Sequence, residues 1–532
     1  MKGKQENGKD NSTSAAPNGA DVMDGQKKNS GDSMESEKKA SPTAQPPAGS
    51  QVEDQTPKTV PDRYSNAVEP LIAEGPSTGG APVRSPYFKV RGASRQFGAA
   101  PEVEPFTPEL LLEARDQHKT YENYKVYRVR VESRKQEQYL SSLDNDFQRN
   151  ISLWEDPIID RNVTLIAPPQ SVKSLEDEFD AQTLKYSVLT ENLKTWLDEE
   201  RENVNPNLFL EQNDIGNFKL DTYHTLDEIS SYLDLLAMQY PNLVKPIELG
   251  RTYENNTIKG VVLSTGGQKR AIYIDAGTHA REWISVASLL YILSNFISNG
   301  DTDPELKSLL DQFEFHFVPV INSDGYKYTW NGDRLWRKNR VRFQGFYWCS
   351  GVDPNRNFNY YWGSEGASAN PCSETYRGTR AFSELETRAI RDYIGGIKDR
   401  LSLYLSLHAY GQYLLLPFGT GPSTLSSENK VQMAAAGAFR DAIMKKTGQT
   451  YKIGSSKQIL YAASGLSNDW VHSQGVTHAY VAELRDTGSH GFVLPPEQIL
   501  PAAEEVFEGI KALIKFIATN DLNTQRRQAI AG

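Results

Sequence analysis

From about Phe218 onward the chain alternates strongly apolar segments with amphipathic ones. Apolar runs fall at Ala271–Asp275, Phe313–Val320, Leu401–Leu407, Tyr413–Leu416 and Ala479–Ala482, and helical patterns at Glu282–Ser298, Glu384–Ile397, Ser427–Thr447 and Pro495–Thr519. A strand that is apolar on both faces must be covered on both faces, and intervening helices supply the cover. The pattern therefore predicts an α/β domain over residues 215–519, with a mixed, largely parallel central sheet flanked by helices. Thr225 followed by Glu228 is a capping box and opens a helix over Thr225–Tyr240. Residues 520–532 read as a polar tail, frayed at the chain end.

The upstream sequence divides in two. Residues 1–120 are rich in Ser, Pro, Gly, Lys and Glu, a composition that cannot bury enough apolar surface to offset its ordering entropy. They read as a disordered low-complexity extension, with one short helix over Thr107–Gln117 started by Thr107 and Pro108. Residues 121–202 read as a small α+β domain. Strands are expected at Val126–Val131, Asn162–Ile166 and Tyr186–Leu189, and helices at Lys135–Leu143, from Ser171, and over Asn192–Glu202.

The net charge of −10 argues against a nucleic-acid partner, which needs a concentrated basic face. No apolar stretch is long enough to span a bilayer, and the N-terminus lacks the apolar core of a secretory signal. Cys349 and Cys372 are either buried thiols or one disulfide closing a short loop.

Chemistry gathers at strand ends. His279 and Glu282 follow Ala271–Asp275 directly, where an imidazole and a carboxylate can face one metal. Alone the pair is equally well a chance His and Glu on a surface turn. Zinc needs a third protein ligand and an open position, and His408 ends the run Leu401–Leu407. A lone His there is more often structural; two such strand ends together shift the balance towards metal. Glu483 ends Ala479–Ala482 and is either salt-bridged beside Arg485 or a base for metal-activated water. Arg337 and Arg356 are solvated arginines or clamps for a carboxylate.

Taken together, the motifs resemble those of the zinc metallocarboxypeptidases of the pancreatic carboxypeptidase A/B type. The resemblance spans roughly Asp221 to Ala518. It is carried by Tyr223–Glu228, His279–Ile284, Asn322–Tyr326, Gly351–Asn357, Pro371–Glu374 and Glu483–Gly488. It implies one Zn²⁺ held by His279, Glu282 and His408, with Glu483 as general base and Arg337 polarising the scissile carbonyl. It also implies Asn355, Arg356 and Tyr461 as binders of the terminal carboxylate, Arg281 as an auxiliary substrate contact, and a Cys349–Cys372 disulfide.

The same resemblance casts residues 121–202 as an activation domain that keeps the enzyme latent until a trypsin-like protease cuts, with Arg201 as candidate cut site. Asn468 falls at the base of the side-chain pocket, where relatives acting on basic residues carry Asp and those acting on apolar residues carry Ile. With Ala463, Leu466 and Val481 around it, a neutral preference follows. The implied disulfide and sequons at Asn150, Asn162 and Asn255 suggest a secreted monomer acting on peptide or protein C-termini. The alternatives are a zinc-binding pseudoenzyme with a regulatory role and an intracellular carboxypeptidase of the same superfamily.

Overall fold

A computed structural model describes residues 118–531 apart from 144–145, 147, 203, 205–208, 210–213, 344–348 and 423–424, with side chains as far as Asn520. The expected extension and the helix over Thr107–Gln117 lie outside the described residues, except for positions 118–120.

The small domain comprises β1 (Lys125–Arg130), α1 (Arg134–Leu143), β2 (Ser152–Leu153), β3 (Asn162–Ala167), α2 (Pro169–Ala181), β4 (Lys185–Thr190) and α3 (Leu193–Arg201). Its strands pair antiparallel in the order β2-β3-β1-β4, with Arg128 opposite Thr164. Alternation decides the two faces. Tyr127, Val129, Val163 and Leu165 bury against Leu140, Leu175 and Phe179 of the two helices. Val126, Ile166 and Trp154 turn the other way and pack with Leu193 and Leu197 against Leu335, Phe492 and Val493 of the large domain.

The large domain opens with α4 (Leu226–Gln239), capped as expected: Thr225 Oγ1 accepts from Glu228 N, and Glu228 Oε2 accepts from Thr225 N. It continues with β5 (Val244–Arg251), β6 (Thr257–Leu263), β7 (Arg270–Asp275), α5 (Trp283–Asn299), α6 (Pro304–Gln312), β8 (Phe313–Val318) and α7 (Ser323–Asn331). Then come α8 (Leu385–Ile397), β9 (Leu401–Ala409), β10 (Tyr413–Leu416), α9 (Asn429–Thr447), β11 (Lys452–Ser455), α10 (Ser456–Ile459), α11 (Ser467–Ser473), β12 (Ala479–Leu484) and α12 (Ile499–Ala531). The sheet order is β11-β10-β12-β9-β7-β8-β6-β5. Pairing is parallel from β12 through β9 and β7 to β8, and between β10 and β11, but antiparallel at β10–β12, β8–β6 and β6–β5.

Helix α5 is apolar on most of its surface and buries Leu289, Ile292, Leu293 and Phe296 between the sheet and α12. Phe296 meets Phe315 at 4.5 Å and Phe507 at 5.8 Å between ring centroids. β8 stops at Val318, short of the expected Val320, because Pro319 has no N–H to donate to the ladder. Residues 520–531, expected as a frayed polar tail, continue helix α12.

Cys349 and Cys372 form a disulfide with Cα atoms 4.9 Å apart, closing a loop with a sequence separation of 23. Opening it by Cys372→Ser should cost about 3 kcal/mol of stability, read as a lower denaturant midpoint. Asn255 sits at an exposed turn between β5 and β6 with φ +65°. Among the described residues no helix is long and apolar enough to cross a membrane.

Candidate active site

The carboxyl ends of β7, β9 and β12 lie side by side, since β9 is flanked by the other two. After β7 the chain turns at Gly277, whose φ of +63° suits glycine. A Cβ there would also press on Pro319 O and Val320 Cα, each 3.2 Å away. That turn drops His279 beside the sheet and leads to Glu282, the residue immediately before α5. His408 lies at the end of β9, with Glu483 of β12 directly opposite in register.

The three side chains converge. His279 Nδ1 is 2.7 Å from Glu282 Oε1, His408 Nδ1 is 3.1 Å from Glu282 Oε2, and the two Nδ1 atoms are 3.1 Å apart. Their outer nitrogens have separate partners. His279 Nε2–H donates to Asp353 Oδ1 at 3.1 Å. Ser406 Oγ donates to Asp275 Oδ1 at 2.5 Å, which leaves an oxygen lone pair to accept from His408 Nε2–H at 3.1 Å. Both tautomers are thereby set with bare Nδ1 lone pairs facing each other across a carboxylate. Such a buried donor set is repulsive unless a cation lies among its atoms, which all lie within 4.8 Å of one another. Two imidazoles and one carboxylate are a zinc donor set with room for a further ligand.

Arg337 is held beside this cluster. Its Nη2 donates to Asp353 Oδ2 at 2.9 Å, and its Nη1 is 3.7 Å from Glu282 Oε1. Asp353 thus orients both His279 and Arg337, and it caps the turn Pro354–Arg356 through Asn355 N at 2.9 Å. Arg356 donates through Nε to Gly366 O at 2.8 Å and through Nη1 to Asn355 O at 2.9 Å. Asn355 Oδ1 accepts from Ser467 N at 2.9 Å. His279, Glu282, Arg337, Asn355, Arg356, Tyr461 and Glu483 line one cavity, with Leu415, Ala463, Leu466 and Val481 as its apolar wall. Glu483 is partly open to that space. Burial beside Glu282 pushes its carboxyl up to about 7, against the pull of His408. Its reading as the salt-bridge partner of Arg485 fails, because Arg485 pairs with Glu505 at 2.5 Å.

A match to a family model covers residues 229–509, described as zinc carboxypeptidase, and a second covers residues 127–200, described as carboxypeptidase activation peptide. The chain belongs to the zinc carboxypeptidase family. It is a metallocarboxypeptidase of 35% identity to mouse carboxypeptidase A2 over 400 residues, covering 75% of this chain and 94% of that one. Carboxypeptidase B of Astacus astacus is 42% identical over 298 residues, 56% of this chain and 97% of the relative. Two crystal structures share the fold. Thrombin activatable fibrinolysis inhibitor matches at TM-score 0.70 and 29% identity, covering 75% of this chain and 100% of the other. The carboxypeptidase A of Helicoverpa armigera matches at TM-score 0.67 and 29% identity, covering 76% and 99%.

Three expected site residues of this carboxypeptidase lie elsewhere than in the cavity lining; the first, His408, is fully buried against Glu282. Arg281 is buried, stacks over Phe492 at 4.1 Å and lies 3.7 Å from Glu374 in a neighbouring cavity. Asn468 is fully buried, and neither its Oδ1 nor its Nδ2 has a hydrogen-bond partner among the described residues. Sequence reading passed over Asp353, although it sits inside the run Gly351–Asn357 that carries the resemblance. It also passed over Trp154 and Glu155, which line the same cavity as His279 from the activation domain. A Trp-Glu pair after a two-residue strand carries no local signal of that placement.

Proposed function

We propose that the protein is made as a latent proenzyme and, once opened, hydrolyses the last residue from peptides that end in a neutral, apolar or aromatic side chain. The observation carrying the reading is the convergence of His279, Glu282 and His408 on one point, with His279 and Glu282 lining one cavity together with Glu483 and Arg337.

His279, Glu282 and His408 would hold Zn²⁺. When bound, Zn²⁺ supplies Lewis-acid chemistry, lowering the pKa of water to about 7 and polarising a carbonyl. Glu483 accepts a proton from the attacking water on its carboxylate and returns it to the leaving amine. Burial raises its pKa, the direction that makes a carboxylate a better proton acceptor. Arg337, held by Asp353, offers guanidinium donors to the oxyanion that develops on the scissile carbonyl. Arg356, Asn355 and Tyr461 take the substrate's terminal carboxylate, with Arg356 as the charged clamp. Arg281 contacts substrate further from the scissile bond, at the adjoining cavity.

The wall of Leu415, Ala463, Leu466 and Val481 supports the neutral preference. Two and three positions after the wall residue Leu466, Asn468 is uncharged and burial pushes the Asp469 carboxyl up to about 8. A lysine or arginine side chain entering such a pocket would lose its hydration with no counter-charge to replace it.

Latency is supported by Trp154 and Glu155 lining the catalytic cavity. Arg201 ends α3 with its guanidinium 5.5 Å from the Trp283 ring and 5.8 Å from the Trp330 ring, and Nη2 donates to Thr329 O at 3.0 Å. A trypsin-like protease cutting after Arg201 must first draw that side chain out. Export from the cell is supported by the disulfide, which persists in oxidising surroundings.

The test compares the full chain before and after limited trypsin treatment on peptides that differ only at the last residue or in its amidation. Turnover should appear on cleavage and vanish on amidated substrates. It should favour Leu or Phe over Lys by at least about 100-fold, equivalent to ~3 kcal/mol of unpaired charge burial. A cleaved, zinc-loaded protein that hydrolyses none of them is a binding protein, and the reading fails.

A further inference from the structure

The activation domain holds the catalytic domain through contacts that mostly match charge to charge or donor to acceptor. Glu200 forms a two-pronged ion pair with Arg334 at 2.6 and 2.5 Å. Arg128 and Arg161 donate to Thr487 O at 2.6 Å and Ile459 O at 2.8 Å, and Tyr121 donates to Asp333 Oδ1 at 2.5 Å.

Glu155 differs. It stands between the domains with hydrogen-bond partners that are all neutral. Its Oε2 accepts from Thr164 N at 2.8 Å within its own domain, and its Oε1 accepts from the Tyr410 hydroxyl across the interface. Trp154 beside it packs edge-on against Tyr410 and Phe492, at 6.3 and 5.4 Å between centroids. The groups facing Glu155 come from every neighbouring element. Arg128 lies opposite Thr164 on β1 but spends Nη2 on Thr487 O. Asp156 follows on its own loop and is exposed. Arg337, Arg356, Glu282 and Glu483 line the shared cavity, and Arg281 the adjoining one. After β12, the Asp486 carboxylate is occupied by Gly488 N, His490 N and Gly491 N. None of these forms an ion pair with Glu155 among the described residues.

We propose that the Glu155–Tyr410 clasp makes closure of the cleft depend on pH, the activation domain being held more tightly in mildly acidic than in alkaline surroundings. The inference rests on the latent-proenzyme reading above. Burial pushes the docked Glu155 carboxyl up to about 7, against the Tyr410 hydroxyl, Thr164 N and Arg128, which all favour its ionised form. Released into water, the same carboxyl returns to about 4.3. Docking therefore takes up a proton between those values. The clasp is at full strength below the released value, weakens as pH rises, and levels off once pH has passed the docked value. Glu200 is also raised by burial and works in the same direction. The side chain keeps some contact with water, so the expected change is on the order of tenfold in the docking equilibrium rather than the full span of the shift.

Amide exchange of the full-length, zinc-loaded protein at about pH 6 and about pH 8.5 reads this directly, after correction for the chemical exchange rate. Segments 152–161 and 485–493, which meet at the interface, should lose roughly tenfold protection at the higher pH while β7 stays unchanged. Glu155→Gln should flatten most of that slope. Tyr410→Phe should steepen it, because the ionised carboxylate loses a donor. A slope that is absent, or that persists unchanged in Glu155→Gln, overturns the inference. The outcomes remain separable: an uncut chain as active as the cut one sinks latency itself, whereas latency with a flat slope sinks only the pH clasp.

Discussion

Glu483→Gln should lower kcat by roughly 10²–10⁴-fold, the range ascribed to a positioned general base, while zinc content stays unchanged. Glutamine keeps the length and planarity of the side chain but cannot hold a proton on its way from water to the leaving amine. The residue is paired in register with His408 yet accepts no hydrogen bond from either imidazole, so the metal cluster should not register the change. KM should move little, because in the proposed function Arg356 and Asn355, rather than Glu483, take the substrate's carboxylate. Zinc measured by atomic absorption beside kcat on a blocked dipeptide decides the matter. Near-normal kcat, or loss of zinc in step with activity, would exclude the assigned role.

His408→Ala should release the metal. Losing an outer partner of a metal-bound histidine typically costs 10–100-fold in affinity, so losing the ligand itself should cost more than about 100-fold. Loss of the imidazole would leave Glu282 Oε2 with Ala409 N at 3.1 Å as its remaining partner in the cluster. Titration against a chelator of known affinity measures the change. A variant that keeps one zinc per chain with wild-type affinity would show that β9 does not furnish the third ligand. Folding should survive, because His408 contributes one position to a strand whose neighbours Leu405 and Leu407 carry the core contacts.

Much of this centre was legible because His279, His408 and Glu483 each sit at or shortly after the end of a strand with a continuous apolar run. Ala271–Asp275, Leu401–Leu407 and Ala479–Ala482 announce themselves by composition; His408 and Glu483 follow the last two immediately, and His279 follows the first after a three-residue turn. The strands that escaped notice lie towards the margins of the sheet. β5 mixes exposed and buried positions irregularly and carries a register shift between Glu248 and Gly250, so neither strict alternation nor an apolar run marks it. β11 is only Lys452–Ser455 and stands at the edge of the sheet. What stayed hidden at the site depends on distance along the chain. Asp353 reaches His279 across 74 positions, and Glu155 reaches Tyr410 across 255. No periodicity in sequence encodes such meetings. They are set by how whole elements dock.

Glu282 has a double position that reaches beyond chemistry. It belongs to the metal cluster and is also the residue from which α5 starts, a helix enclosed by the sheet on one side and α12 on the other. The ligand cannot swing away without disturbing the first turn of this deeply packed helix. Local fraying, the usual low-cost route by which a metal escapes, is therefore closed on this side of the cluster. On heating, metal release and loss of the tertiary core should coincide in one transition, and bound zinc should raise the melting temperature of the whole large domain rather than of a loop.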